Sequence, residues 1–236
     1  MDIITEYFKK QFISPHFIPP HPEQAVIKNW LYPQGLTEQD IWNYYQKNKK
    51  NLLGWIGDRT VAFFLKVNDI LIVKRNIGDK SIKLTQENFD ELITGRTLQI
   101  LVERQDLSDY FVVDIDAGES HSRKEIIMAS KVVVETLRPL HVEKWELLFT
   151  SPKGIHVIGY LSKKDTLDNI RSLVEELLLN QNDYLVNVKG RRHVEINLDL
   201  TPNYKRSIHI CRYSLTKEGL ICDDILTSKR SGKKIK

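Results

Sequence analysis

The chain has little of what most quickly assigns a sequence to a class. It holds 2 cysteines, 2 methionines and 11 glycines in 236 residues. Two cysteines exclude a disulfide-stapled scaffold. Cys211 and Cys222 lie in otherwise apolar stretches, have no metal-ligand spacing, and read as reduced core residues of a cytosolic, cytoplasmic protein. No apolar run approaches the roughly 20 residues that span a bilayer. The opening Met1-Asp2-Ile3-Ile4-Thr5-Glu6 lacks the basic region of a signal peptide, so no membrane role is expected. Charge of one sign is missing too: 35 basic residues face 31 acidic ones. Five of the positives lie in the last eight residues, which leaves 30 against 31 in the rest. Composition therefore announces no nucleic-acid binder, and any basic groove must be built locally. Internal repeats, low-complexity tracts and Pro/Gly-rich linkers are absent before the tail.

What is present describes an ordinary globular protein, with 41% apolar and 28% charged residues. The length allows one large domain or two small ones. We expect one domain over residues 1–228, opened by an N-terminal wrap (1–35) and followed by a basic, disordered tail (229–236). A short helix is expected from Thr5 to Phe12. Thr37, with Asp40 three residues on, caps a helix whose apolar side is Ile41, Tyr44 and Tyr45, running out at Lys47 to Lys50. Val61–Leu65 and Ile70–Val73 read as paired strands. A helix over Glu87–Thr94 is followed by strands at Leu98–Val102 and Tyr110–Ile115. Arg123–Leu137 shows helical spacing, Trp145–Thr150 and Ile155–Leu161 are strands, and Asp165 or Thr166 caps an amphipathic helix carrying Leu167 to Leu178. His193–Leu200 and Ser207–Tyr213 close the pattern. The fold class is α+β, with mixed or antiparallel sheets flanked by helices.

Chemistry concentrates in four segments. Tyr110-Phe-Val-Val leads into Asp114-Ile115-Asp116. Strand alternation sends both carboxylates one way and Ile115 into the core. Adjacent carboxylates repel unless a cation lies between them, and Mg²⁺ or Mn²⁺ suits oxygen donors. The second segment, Phe149-Thr-Ser151-Pro-Lys153-Gly154-Ile-His156, gathers a hydroxyl, a point charge and an open backbone in one turn, the groups that grip phosphate. A plain hairpin with a half-buried histidine has the same spelling. In the third, Glu195, Asn197 and Asp199 share a strand face; a third carboxylate beside the first pair completes a two-cation site, with ions about 3.5–4 Å apart. In the fourth, Arg212 and Ser214 alternate onto one face, with Lys217 following. The candidates for strand phosphates are Lys47, Lys49, Lys50, Lys74, Arg75, Lys189, Arg191 and Arg192, each a solvated surface charge by default.

The order of these segments resembles the archaeo-eukaryotic primase-polymerase superfamily, most of all the polymerase domain of bacterial ligase D and its stand-alone archaeal relatives. Val113-Asp-Ile-Asp-Ala-Gly118 resembles the D-x-D-x-G of that family, and Ser151-Pro-Lys-Gly-Ile-His-Val157 its S-G-G-K-G-L-H-V. Leu198-Asp199 is similar to its third ligand strand, Tyr213-Ser214-Leu215 to its Y-S-L, and Val73-Lys-Arg75 to its K-R strand. Trp30-Leu-Tyr-Pro33 with Tyr44-Tyr45 is similar to its opening helix. The resemblance implies an RRM-like catalytic core in which Asp114, Asp116 and Asp199 are catalytic and bind two divalent cations, Mg²⁺ or Mn²⁺. It implies that Ser151, Lys153, Gly154, His156, Arg212 and Ser214 bind the nucleotide, an NTP or dNTP, and that Lys74, Arg75, Lys189, Arg191 and Arg192 bind nucleic acid.

The implied activity is strand synthesis or extension on a DNA template, as DNA repair by end joining with a DNA ligase partner. Two rival readings are a replication primase of a plasmid or other mobile element, working with a helicase, and a silent nucleic-acid-binding module. A metal-dependent nuclease would use a similar acidic cluster. Three departures stand out. Pro152 replaces the second glycine of the hairpin, the family insertion after the K-R strand is missing, and no zinc knob is present.

Overall fold

A computed structural model describes residues 36–67, 70–117, 122–151, 154–179, 196–216 and 221–225. The expected helix over Thr5–Phe12, the N-terminal wrap and the basic tail lie outside them. The chain divides into two compact units, one of residues 1–103, 210–220 and 234–236, the other of 104–209 and 221–233.

The described part of the first unit opens on helix α1 (Glu38–Ile56). Thr37 and Asp40 close a capping box, the Asp40 amide donating to the Thr37 hydroxyl at 3.1 Å and the Thr37 amide to the Asp40 carboxylate at 2.8 Å. These hydrogen bonds hold the Asp40 carboxyl below its ordinary range. The helix continues two turns past Lys47–Lys50, where the sequence suggested an end. Leu52 and Ile56 supply apolar spacing beyond the lysines and are buried. Strands β1 (Thr60–Val67) and β2 (Ile70–Lys74) pair antiparallel, as their apolar runs predict. Phe63 is buried and Phe64 half-buried.

Residues after Arg75 form an unforeseen small hairpin, β3 (Asn76–Ile77) and β4 (Lys80–Lys83). Its turn contains Gly78, at φ 58°. Only Phe89–Leu92 of the expected second helix is helical (α2). Strand β5 (Thr97–Glu103) packs beside β1 and is buried along its whole length.

Among the described residues the second unit is a four-stranded sheet with two α-helices. Strand β6 (Leu107–Ala117) is followed by α3 (Arg123–Thr136), β7 (Lys144–Ser151), β8 (Gly154–Thr166), α4 (Leu167–Leu179) and β9 (Ile196–Asp199). Their order across the sheet is β7-β8-β6-β9, all antiparallel. Two split β-α-β units interlock in this order, the arrangement of ferredoxin-like and RRM folds, so the expected class and core are met. Ser122 and Glu125 form the cap of α3, and the Asn169 amide donates to the Thr166 hydroxyl at 3.3 Å to start α4. Ile126, Ala129 and Val133 of α3 and Ile170, Val174 and Leu178 of α4 are buried, whereas Leu173 of the predicted apolar stripe is exposed. The outer edge of β7 is occupied by the chain's own return, Ile225 donating to the Leu147 carbonyl at 2.8 Å. Among the described residues no helix is long and apolar enough to cross a membrane.

Candidate active site

Register builds the site on one face of this sheet. Asp114 of β6 stands opposite His156 of β8 on one side and Asp199 of β9 on the other. Asp116 stands between Gly154 and Asn197. Directly opposed residues in antiparallel strands have Cβ atoms about 4.5–5.5 Å apart. Residues 42 and 85 positions further along the sequence thus share one patch with Asp114. Ile115 is fully buried on the other face, while Asp114 is part-exposed and Asp116 open to solvent, which is the alternation the sequence predicts.

The His156 ring is buried, and its Nε2 lies 3.2 Å from Asp114 Oδ1. That approach is close but unaligned. Asp114 Oδ1 and His156 Nδ1 are both buried and neither accepts or donates an aligned hydrogen bond among the described residues. A buried carboxylate oxygen in that state is costly unless something satisfies it. A hard divalent cation is suited to such an oxygen, and the carboxylates of Asp114 and Asp116 are the donor types that Mg²⁺ and Mn²⁺ prefer, with Asp199 in register beside Asp114. Among the described residues no three acidic, histidine or cysteine side chains gather as a finished metal cluster.

Gly154 explains itself by what crowds it. A Cβ there would stand 2.5 Å from Thr150 Oγ1, 2.7 Å from Ser151 Oγ and 2.9 Å from Asp116 Oδ1. Two hydroxyls and a carboxylate therefore converge on a backbone that must stay bare. Thr150 belongs to this cluster although its sequence signal, one more hydroxyl in a strand end, singles out nothing. His209 and Tyr110 are likewise unforeseen: Tyr110 Oη lies 3.1 Å from His209 Nε2, and the His209 ring meets the His156 ring edge-on at 6.1 Å. The alternation of Ile208, His209 and Ile210 was the available signal, and it names no partner.

The remaining candidates divide. Lys153, Lys189, Arg191, Arg192 and Lys217 lie outside the described residues. Lys74, Arg75, Arg212 and Ser214 belong to the first unit. Lys74 ends β2 with only 5% of its surface exposed, rather than displayed. Burial pushes its ammonium down to about 8, against the opposing pull of Glu91. Arg75 is half-buried. The expected strand through Tyr213 stops at Ile210 (β10, Ile208–Ile210) and turns, with Tyr213 at φ 68°. Alternation therefore does not put Arg212 and Ser214 on one face. Arg212 is half-buried, its guanidinium 5.0 Å from the Tyr213 ring centre. Ser214 is fully buried and accepts from the Ile100 amide at 2.8 Å, so its hydroxyl holds two segments of the first unit together. Cys211 and Cys222 are free and buried, as expected, and burial drives the Cys211 thiol upward.

No protein-family model and no curated protein matches the chain. Among solved structures it is similar to the polymerase domain of Mycobacterium tuberculosis ligase D in complex with DNA. The identity is 16%, over 82% of this chain and 82% of that one, with a TM-score of 0.64. The chain has the fold of that domain.

Proposed function

We propose that the protein is a two-metal nucleotidyltransferase, a DNA primase-polymerase that starts or extends strands on a DNA template. The observation that carries the reading is the register of β6. It sets Asp114 between His156 and Asp199, and Asp116 beside the bare Gly154, on one face of a sheet with this fold. The likeness to a polymerase domain solved with DNA supports a DNA template as partner.

In this reading Asp114, Asp116 and Asp199 would hold Mg²⁺ or Mn²⁺. The ions, when bound, supply Lewis acidity to the attacking 3′-hydroxyl and to the departing pyrophosphate. The chain's own residues position the nucleotide. Ser151 and Thr150 offer hydroxyls, Gly154 admits a phosphate close to the backbone, and His156 meets the triphosphate or the ribose beside it. Lys153 and Arg212 add positive charge, and Arg75, Lys189, Arg191 and Arg192 meet strand phosphates. A role in end joining follows from the same resemblance.

The test is extension of a 5′-labelled primer on a DNA template with Mn²⁺ or Mg²⁺, comparing deoxy- with ribonucleotides and wild type with Asp116→Ala. Metal-dependent extension lost in the variant is the expected result. Binding to single strands without extension under any condition would instead favour a silent module.

A further inference from the structure

We infer that His209, held by Tyr110, is a positioning residue for His156, and through it for the nucleotide; this rests on the nucleotidyl-transfer reading above. A dry polar row crosses the site face of the sheet. Tyr110 and Asp114 lie four residues apart on that face of β6. Tyr110 Oη meets His209 Nε2 at 3.1 Å, the His209 ring meets His156 at 6.1 Å and 64°, and His156 Nε2 meets Asp114 Oδ1 at 3.2 Å. Tyr110, His209 and His156 are at most 7% exposed, so water does not plasticise the row.

The far end of the row is clamped. The Arg104 guanidinium lies 3.7 Å from the Tyr110 ring centre and donates to the Tyr110 carbonyl at 2.6 Å. Its backbone pairs with the turn that leads into β10 and His209: Arg104 N donates to the Ser207 carbonyl at 2.8 Å, and Arg206 N to the Arg104 carbonyl at 3.1 Å. The Tyr160 ring braces Tyr110 at 5.7 Å.

At the near end, His156 Nδ1 is buried and has no hydrogen bond among the described residues. No hydrogen bond at Nδ1 therefore fixes the ring's angle, which falls to the Asp114 contact at Nε2 and to the edge of His209. An apolar pair would fill the space of Tyr110 and His209 without the cost of burying polar groups. What the hydroxyl–imidazole bond adds is a fixed orientation.

Tyr110→Phe removes one oxygen and keeps the ring contacts with Arg104 and Tyr160. In primer extension it should raise the nucleotide KM about fivefold, the worth of one hydrogen bond, with kcat little changed. In a His156→Ala background the same substitution should change KM no further, because the coupled partner is gone. An unchanged KM, or effects that simply add, would overturn the inference and leave Tyr110 a packing residue. A second readout needs no activity: ¹⁵N spectra of the imidazoles in the full chain. Tyr110→Phe should shift the His156 ring nitrogens as well as those of His209, and a shift confined to His209 would refute the brace. Should the wild type extend no primer, the nucleotidyl-transfer reading falls, while the spectra still decide whether His209 braces His156.

Discussion

The two faces of the four-stranded sheet differ by one residue of register and by almost everything else. On one, Phe111, Val113 and Ile115 are fully buried, and Phe111 lies against Trp145 with ring centres 5.7 Å apart. On the other, Tyr110, Asp114 and Asp116 alternate with them along the same strand, facing His156, Gly154 and the β9 backbone. One strand thus serves stability with its odd positions and, the buried Val112 apart, chemistry with its even ones. A change on the first face should be read in melting temperature, and one on the second in rate.

The largest effect is expected where the polar face is broken at its centre. Asp114→Ala or Asp116→Ala removes several kcal/mol of charge stabilisation, a loss of about a thousandfold or more in extension. Thermal stability should hold or rise, since repelling acids are separated. Variants that unfold on purification would show the pair to be structural.

The matching break on the apolar face is Phe111→Ala. It should cost about 3–5 kcal/mol in a denaturant melt, the usual price of emptying a buried aromatic site. Activity per folded molecule should be retained.

A sharper comparison adds the same methyl group to both faces. A Cβ at Gly159 meets the Phe111 ring at 2.3 Å, so Gly159→Ala should destabilise by about 1–3 kcal/mol through overpacking. A Cβ at Gly154 meets the hydroxyls and Asp116, so Gly154→Ala should cut extension more than it lowers the melting temperature. Equal effects of the two on stability and rate would erase the distinction between the faces.

The smallest expected effect comes from the first unit, where a charge is buried rather than displayed. The Lys74 ammonium titrates near 10.5 when unfolded and about 8 in the fold, because burial disfavours its charge. Between those values the unfolded chain binds more protons, so this residue's contribution to stability rises with pH across that window. Below it the cost of the buried charge is present in full. Lys74→Met should therefore melt higher than wild type at pH 7, with the gap narrowing as pH climbs from 8 toward 10. A gap that widens over that range would contradict the assignment.

Local patterns were legible wherever one face of one element carried the signal. The alternation of Asp114, Ile115 and Asp116, the Thr37–Asp40 cap and the helical spacing of Ile126, Ser130, Val133 and Leu137 are all fixed by neighbours within a turn or a pleat. Other features depend on partners far along the chain. The lysines at 47, 49 and 50 do not end α1, because Leu52 and Ile56 resume its buried stripe. Ser214 is spelled like a phosphate ligand and spends its hydroxyl on Ile100, 114 residues away. The contact of Tyr110 with His209 spans 99 residues and left no mark in either segment alone. The facing of Asp199 and Asp114 is a register, and spacing in sequence does not determine register.

Iron-mediated cleavage tests the central claim most directly. Fe²⁺ takes oxygen-rich divalent sites, and with peroxide it cuts the backbone close to where it is held. The full chain should be cut near residues 114–116, 154–156 and 199, Mn²⁺ should compete, and Asp114→Ala should lose all three cuts together. Cuts elsewhere, or the same cuts in the Asp114→Ala variant, would show that this face of the sheet does not hold the metal.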